Sequence, residues 1–352
     1  MVAPRELARF RRPLDAPAAG HVVVQVAGCG VCHTDLGYLH GDVPPRKKGP
    51  LVLGHEASGV VVDTASDVAR WLGRRVVVPA VWPCGACAFC KSGRRTACAR
   101  SIMPGSDVDG AFASHLVAPA AWLCDVDGDG PAQPERAPIG HAGLALWELS
   151  VLADAVTTPL QAIRRAGLKE GDVAIIVGVG GVGSFGLQIA RAAGAVVVAI
   201  DVSAERLELA RTLGAHAALD GREAQKALKL AVREAAAAGG AKNESFKVFE
   251  MSGSRAGQEL AFSLLNRGGH LAVVGFTPEP ASIRLSNLMA LDATAAGNWG
   301  SDPALYHEAL SLVATSAVKL KPLVRREPLD DAPRVLEAVA RHQFRERVVL
   351  TP

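Results

Sequence analysis

The sequence predicts a two-domain protein of α/β plus β class, in which a barrel-like antiparallel domain precedes a doubly wound parallel-sheet domain. Its 352 residues exceed one ordinary domain. Up to about residue 150, short runs such as HVVVQV, GVVVD and RRVVVPA alternate with glycine- and proline-rich turns, which is typical of an antiparallel barrel. From VAIIVG at residue 173, near-continuous apolar strands alternate with helical segments, which indicates βαβ units around a parallel sheet.

Charge and hydropathy exclude several classes of partner. The formal net charge is only +3 and the chain has no long basic run, so nucleic acid is not an expected partner. No apolar stretch reaches membrane-spanning length, so a membrane is not expected either. The N-terminal run MVAPRELARFRRPLDAP lacks the apolar segment of a secretory signal, which predicts a cytoplasmic protein.

The first half of the chain contains a cluster of four cysteines in the run CGACAFCKSGRRTAC. The spacing of Cys84, Cys87, Cys90 and Cys98 allows four thiolates to surround one tetrahedral Zn²⁺. Four protein ligands leave no open position, so this zinc is predicted to be structural. The alternative is two disulfides, which belong to oxidising settings; the odd total of seven cysteines argues against it.

A second metal site is predicted from scattered residues in the first domain. GCGVCHTDLG supplies Cys32, and LGHEASG supplies His55 with Glu56 beside it. A cysteine, a histidine and one more donor form a zinc site with an open position, which is the catalytic arrangement. Cys29 and Cys124 are interpreted instead as small apolar core residues.

A dinucleotide fingerprint opens the second domain. In VAIIVGVGGVGSFG, a buried strand turns into a helix through Gly178, Gly180 and Gly183, with Gly181 and Val182 inside the turn. Glycine permits the sharp turn and the close approach of a pyrophosphate, and the helix N-terminus offers unpaired N–H groups to the phosphates. These residues are predicted to bind the cofactor.

The end of the next strand predicts which dinucleotide binds. AVVVAID ends at Asp201, where a carboxylate accepts both ribose hydroxyls and repels a 2′-phosphate, so NAD is favoured over NADP. Arg206 lies nearby, and its positive charge favours a 2′-phosphate and hence NADP. The alternative interpretation is that Asp201 caps the following helix.

Together, GCGVCHTD, GHEASG, the four-cysteine run and GVGGVG, in this order, resemble the zinc-dependent medium-chain alcohol dehydrogenase family over the whole chain. The resemblance implies a GroES-like catalytic domain over residues 1–153 that carries the zinc lobe 84–98. A Rossmann domain would follow over 154–300, and the segment 301–352 would return to the catalytic domain. It also implies a homo-oligomer, a dimer or tetramer.

Roles at the reacting centre follow from the same resemblance. Cys32 and His55 would be catalytic zinc ligands, and Glu56 a neighbour able to approach the metal. Asp35 would orient His55, and Thr34 would hydrogen-bond the substrate oxygen and pass its proton outward. The alcohol would lose its proton beside zinc and its hydride to the nicotinamide. The implied nicotinamide contacts are Val274, Gly275, Phe276 and the stretch from Gly297 to Trp299.

Two positions depart from the family pattern. Asp154, in VLADAVTTPLQA, stands where many members place a cysteine ligand, and a carboxylate can bind zinc in its stead. Alternatively, Asp154 caps the next helix and zinc takes water or Glu56. Gly37 stands where many members have a relay histidine; the relay would then end at ribose and water, or use His40.

The substrate is predicted from a narrower resemblance. VAGCGVCHTDLG, WLGRRVVVPAVWPCG, MPGSDVDGAFASH, LADAVTTP, RLSNLMA and GNWG resemble members of the family that oxidise a ring secondary alcohol of an acyl-CoA thioester in anaerobic aromatic degradation. The candidate CoA-phosphate partners are Arg46, Lys47 and Lys48, and the candidate pocket residues are Trp82, Met103 and Trp299. The alternatives are a dehydrogenase of free secondary or cyclic alcohols or polyols and, more distantly, a zinc-free crystallin-like binding protein.

Overall fold

The computed structural model describes residues 1–352 as thirteen strands, ten α-helices and six short 3₁₀ helices. The strands are β1 His21–Gly30, β2 Glu56–Thr64, β3 Arg75–Val78, β4 His115–Pro119, β5 Cys124–Asp125, β6 Val173–Val177, β7 Val196–Asp201, β8 Ala217–Asp220, β9 Phe246–Glu250, β10 His270–Val273, β11 Thr294–Gly297, β12 Val324–Pro328 and β13 Arg347–Thr351. The α-helices are α1 His33–His40, α2 Ala88–Lys91, α3 Thr157–Arg165, α4 Gly183–Ala192, α5 Ala204–Thr212, α6 Gln225–Ala238, α7 Arg255–Ser263, α8 Ser286–Leu291, α9 Tyr306–Ala314 and α10 Ala332–Ala340. The 3₁₀ helices are Ser66–Trp71, Arg95–Ala97, Ala120–Trp122, Leu146–Ala153, Pro303–Leu305 and Leu329–Asp331. None of the helices combines the length and apolar character needed to cross a membrane.

The chain divides into two compact units. Unit 1 comprises Met1–Thr157, Gly300–Ser316 and Leu320–Pro352. Unit 2 comprises Thr158–Trp299 and Ala317–Lys319. The last part of the chain thus lies mostly in unit 1.

Unit 1 is built on a seven-stranded sheet in the order β12-β13-β1-β2-β3-β5, with β4 also paired to β1. All pairs are antiparallel except β12 with β13. β1 forms because HVVVQV is rich in β-branched residues, and its alternate residues Val22, Val24 and Val26 are buried in the unit 1 core. The predicted antiparallel β fold is confirmed.

Unit 2 is built on a six-stranded sheet in the order β11-β10-β9-β6-β7-β8, with every pair parallel. β6 and β7 are buried along their whole length, which explains their near-continuous apolar sequence. The strand order reverses between β6 and β9, and ligands of such sheets bind beyond the strand ends at this switch point. The predicted doubly wound domain is confirmed.

Candidate metal and cofactor sites

The four cysteines of the lobe in unit 1 form a cage of metal-binding size. The Cys87 sulfur lies 3.5 Å from that of Cys90 and 3.8 Å from that of Cys98, and the Cys84 and Cys90 sulfurs are 3.9 Å apart. Four thiolates bound tetrahedrally at a Zn–S distance of ~2.3 Å are separated by ~3.8 Å, whereas a disulfide needs ~2.05 Å. All seven cysteines of the chain are unpaired. The geometry fits zinc, and the disulfide alternative is wrong.

The electrostatics of the lobe favour the thiolate form that binds metal. The backbone N–H groups of Ala86 and Cys87 lower the pKa of the Cys84 thiol to about 6. The Arg100 guanidinium also donates a hydrogen bond to the Cys84 sulfur at 3.4 Å. Because the lobe contains only the four-residue helix α2 and one 3₁₀ turn, it depends on the metal for much of its order.

The second cluster brings together Cys32, His55, Glu56 and Asp154, whose ligand atoms all lie within 4.8 Å of one another. Cys32 precedes α1, His55 immediately precedes β2, Glu56 is the first residue of β2, and Asp154 follows the 3₁₀ helix Leu146–Ala153. The Asp154 Oδ2 atom is 3.5 Å from the Cys32 sulfur and 3.8 Å from His55 Nε2. Tetrahedral zinc separates such donors by ~3.4–3.6 Å, so the sulfur–oxygen distance fits and the nitrogen–oxygen distance is a few tenths of an ångström longer. Three protein ligands of this kind would leave the fourth position of the tetrahedron open.

Asp35 lies on the other side of His55. Its Oδ2 accepts a hydrogen bond from the Cys32 N–H and its Oδ1 from the Gly54 N–H, both at 3.0 Å. His55 Nδ1 is 3.4 Å from Asp35 Oδ1, so Nε2 is the nitrogen that faces the cluster. Burial opposes protonation of His55, but Asp35 and Asp154 raise its pKa well above the ordinary value. A bound metal ion takes the place of that proton.

Sequence reasoning missed Arg347, the buried partner of Glu56. The Arg347 guanidinium donates to both carboxylate oxygens of Glu56, with Nε 2.9 Å from Oε2. Gly30 makes room for this pair, because a side chain there would place a carbon 2.2 Å from Glu56 Oε2. Arg347 Nη2 is also 4.0 Å from Asp154 Oδ2. The sequence feature that could have indicated this pair is the basic residue at the start of the strand RVVLT, whose other residues are mainly apolar.

The expected proton relay begins at an exposed residue. Thr34 is an exposed residue, and its hydroxyl lies 3.7 Å from the Cys32 sulfur. A side chain at Gly37 would meet no atom closer than Val43 Cγ2 at 3.9 Å, so packing does not require glycine there. His40 ends α1, six residues after Thr34 and ~9 Å along the helix axis, which is too far for a direct hydrogen bond.

The glycine fingerprint lies between β6 and α4, as the turn at the switch point of the unit 2 sheet. Gly178 has a left-handed φ of 91°, and a Cβ there would be 2.5 Å from Ser252 Cα. A Cβ at Gly183 would be 1.8 Å from the Gly178 carbonyl oxygen. A Cβ at Gly180 would meet only the Arg206 guanidinium group, with Nη1 at 3.9 Å, so the backbone there is open to a ligand. Gly181 and Val182 complete the turn, and Val182 is the N-cap of α4.

We expect Gly183→Ala to destabilise unit 2 by about 1–3 kcal/mol and to weaken NADH binding, because the new methyl group collides with backbone that cannot move freely. Gly180→Ala is the matched control: it should leave thermal unfolding unchanged and weaken only the dinucleotide. Calorimetry and NADH fluorescence titration measure the two effects. Equal melting temperatures for both variants would contradict the packing argument.

Asp201 ends β7 and is almost fully buried. Its Oδ2 accepts from the Val179 N–H at 2.8 Å, and its Oδ1 accepts from the Ser203 N–H at 2.9 Å. The side chain that caps α5 is that of Ser203. Asp201 therefore ties the glycine turn to the next strand, and each of its oxygens keeps a lone pair for a ligand hydroxyl. Arg206 Nη1 lies 3.8 Å from Asp201 Oδ2.

The residues expected at the nicotinamide lie beyond the ends of β10 and β11. Val274, Gly275 and Phe276 form the irregular segment after β10, where the Phe276 side chain is 70% exposed. Gly297 ends β11, and a Cβ there would meet no atom within 4 Å. Trp299, two residues later, is 46% exposed. These side chains and backbone groups are accessible to a ligand of unit 2.

A second residue missed by sequence reasoning is Glu250, at the end of β9. It is fully buried, and its Oε1 accepts from the Ser252 N–H at 2.8 Å and the Ser252 hydroxyl at 2.6 Å. Burial raises its pKa. A Cβ on Gly275 would be 2.8 Å from Glu250 Oε2 and 2.3 Å from Gly253 N, so the turns after β9 and β10 pack directly together around this carboxylate.

Comparison with known proteins gives the class of protein that this fold and these sites define. Residues 18–128 match the alcohol dehydrogenase GroES-like domain, and residues 181–315 match the zinc-binding dehydrogenase domain. An alcohol dehydrogenase of Geobacillus stearothermophilus is 32% identical over 335 residues, covering 94% of this chain and 91% of the relative.

Solved structures agree with this class. The alcohol dehydrogenase of the hyperthermophilic archaeon Aeropyrum pernix superposes with a TM-score of 0.82 at 28% identity, covering 97% of this chain and 96% of that one. The acetophenone reductase of Geotrichum candidum in complex with NAD has a TM-score of 0.79 at 26% identity, covering 97% and 92%. The chain therefore belongs to the zinc-dependent medium-chain alcohol dehydrogenase family. It is a zinc-binding oxidoreductase that acts on CH–OH groups, which excludes the alternative of a zinc-free binding protein.

Proposed function

We propose that this enzyme oxidises the ring secondary alcohol of 6-hydroxycyclohex-1-ene-1-carbonyl-CoA to the 6-oxo compound, with NAD⁺ as hydride acceptor, in anaerobic benzoyl-CoA degradation. The observation that carries the chemistry is the cluster of Cys32, His55 and Asp154, whose donor spacing fits a metal with one open position. Zn²⁺ held there supplies a Lewis acid that lowers the pKa of an alcohol.

The side chains around the cluster divide the remaining tasks. Asp35 holds the N–H groups of Cys32 and Gly54 and faces Nδ1 of His55, so it orients two ligands at once. Thr34, exposed beside Cys32, accepts the substrate proton and passes it to solvent. Glu56 remains the neighbour able to approach the metal, and its pairing with Arg347 limits that approach.

NAD is the proposed cofactor because Asp201 offers a carboxylate at the end of β7 beside the open backbone at Gly180. The related acetophenone reductase was solved with NAD. The nearby Arg206 contacts Asp201. The Asp201 carboxylate therefore partly neutralises the Arg206 guanidinium and weakens the attraction of Arg206 for a 2′-phosphate. Val274 to Phe276 and Gly297 to Trp299 are the proposed nicotinamide contacts.

The acyl-CoA substrate rests on the narrower sequence resemblance, and two contacts favour a second candidate. Arg46 Nη1 is 3.3 Å from Asp107, and Lys47 Nζ is 2.5 Å from Asp109, so two of the three proposed CoA cations are already paired within unit 1. Only Lys48 of the three is exposed with no ion pair in the structure. The second candidate is therefore a zinc alcohol dehydrogenase for a free secondary or cyclic alcohol or polyol.

Of the three residues proposed to line an apolar substrate pocket, two are buried and one is partly exposed. Trp82 is buried in the core of unit 1, where its indole N–H donates to the Pro79 carbonyl at 2.7 Å. Met103 is also buried. The half-exposed Trp299 in unit 2 remains a candidate contact for the substrate ring.

We expect rapid NADH formation with the 6-hydroxy thioester and at least about 10²-fold lower kcat/KM with free cyclic and linear alcohols, because a substrate lacking the CoA group forgoes its binding energy. NADH absorbance measures both. Neutralising Lys48 should raise KM for the thioester and spare the alcohols. Turnover of free alcohols alone would keep the zinc chemistry and overturn the CoA substrate in favour of the second candidate.

The homo-oligomeric state and the location in the cell are also proposals. β11 is an edge strand of the unit 2 sheet, exposed along its whole length, and the preceding helix α8 exposes Met289. Such an edge pairs readily with a second copy of itself, which supports a homodimer or a tetramer built from one. The cytoplasmic location remains a proposal.

A further inference from the structure

Tyr306 is a buried residue that the mechanism above does not use. It begins α9, in the segment Gly300–Ser316 that belongs to unit 1, and its side chain is 1% exposed. It is among the largest fully buried side chains of the chain. A phenol in such surroundings needs partners for its hydroxyl group.

The Tyr306 hydroxyl has two backbone partners. It donates to the Ala153 carbonyl oxygen and accepts from the Ala80 N–H at 3.0 Å. Thr157 Oγ1 also donates to the Ala153 carbonyl, more weakly, at 3.3 Å. Tyr306 therefore links the end of the β3 region to the residue immediately before Asp154.

The Ala153 carbonyl belongs to the peptide plane that leads into Asp154. Because a peptide unit is planar, holding its oxygen restricts rotation of the unit and so constrains the position of the Asp154 Cα, from which the ligand side chain leaves the backbone. Asp154 is the residue that follows the 3₁₀ helix Leu146–Ala153 and precedes α3, so it lies outside both helices. Its Oδ2 must nevertheless stay near Cys32 and His55 to bind the same metal ion.

We propose that Tyr306 is a positioning residue whose hydroxyl holds Asp154 in place as a ligand of the catalytic zinc. The proposal rests on the ligand set of the proposed function. It gives the segment Gly300–Ser316 a role in catalysis, because the Tyr306 hydroxyl helps to position Asp154. Asp154 is the ligand that stands where many family members have cysteine.

The test is Tyr306→Phe, which removes the hydroxyl and keeps the ring. The matched control is Tyr38→Phe, the same change at the only other tyrosine, which is also buried in unit 1 and has no hydrogen bond to Ala80 or Ala153. Zinc retained per chain is measured against a graded chelator. Co²⁺ is then placed in the Cys32 site, with Zn²⁺ kept in the cysteine lobe, and its visible spectrum is recorded.

We expect Tyr306→Phe to lower the affinity of the Cys32 site for zinc about 10–100-fold and to change the Co²⁺ spectrum, while the lobe zinc and the control are unaffected. Zinc affinity within about 2-fold of wild type, with an unchanged spectrum, overturns the proposal. If the variant does not fold, Thr157→Val removes the second donor to the same carbonyl and should shift both readouts in the same direction; unchanged readouts overturn the proposal.

The variant Asp154→Ala distinguishes failure of the Tyr306 proposal from failure of the proposed zinc ligand set. If Asp154→Ala keeps both zinc ions, the ligand set fails, and the role of Tyr306 fails with it. If Asp154→Ala loses one zinc and Tyr306→Phe loses none, only the role of Tyr306 fails.

Discussion

Replacing Asp154 with alanine is expected to leave one zinc ion per chain in place of two and to lower kcat/KM by about 10³-fold or more, the equivalent of several kcal/mol of Lewis-acid stabilisation. The reason is that Asp154 Oδ2 is the third donor of the cluster, 3.5 Å from the Cys32 sulfur. Catalytic zinc sites use three protein ligands, and this variant would keep only Cys32 and His55 of the proposed three. Elemental analysis after gel filtration and initial rates of NADH formation measure the two effects.

Asp154→Cys is the matched control for this prediction, since a thiolate is the donor that many members of the family have at this position. It should retain both zinc ions and a substantial part of the activity. The lobe of Cys84, Cys87, Cys90 and Cys98 should keep its zinc in every variant. Full zinc content in Asp154→Ala would show that Glu56 or water completes the site, which was the alternative open from the sequence.

Replacing Arg347 with methionine is expected to destabilise unit 1 by about 3–5 kcal/mol, because it leaves the Glu56 carboxylate buried without its guanidinium partner. Both side chains of the pair are almost fully buried, so solvent cannot compensate the charge. The expected drop in melting temperature is about 10 °C for a unit of this size, measured by calorimetry on the zinc-loaded protein.

The double variant Glu56→Gln with Arg347→Met should recover most of this loss, since no uncompensated charge remains. Arg341→Met is the surface control: Arg341 pairs with Glu337 where both side chains are more than 60% exposed, and its loss should cost less than about 1 kcal/mol. If Arg347→Met were no more destabilising than Arg341→Met, Glu56 would have to be uncharged in the folded protein.

Much of the fold and part of the site follow from local patterns. The four cysteines lie within fifteen residues, Cys84 to Cys98, and the three fingerprint glycines within six, so their spacing alone brings their atoms close together. The alternation of β-branched residues in β1 and the continuous apolar runs of β6 and β7 likewise reflect which faces are buried. These features were predicted because neighbours in sequence are neighbours in space.

Asp154 shows the limit of that reasoning. It was proposed as a ligand only through the family resemblance, because 122 residues separate it from Cys32. The ion pairs of Arg46 with Asp107 and of Lys47 with Asp109 were also invisible in a basic triplet that resembles an ordinary surface loop.

By itself, the sequence determined the class of fold, the zinc lobe and the glycine turn, because each depends on residue types at short, regular spacing. Only the tertiary structure decided that Arg347 neutralises Glu56 across 291 residues and that Tyr306 holds the peptide before Asp154 across 153. A buried charge or hydroxyl takes whichever partner the packed chain places beside it. That partner depends on how strands and turns assemble, which no local pattern records.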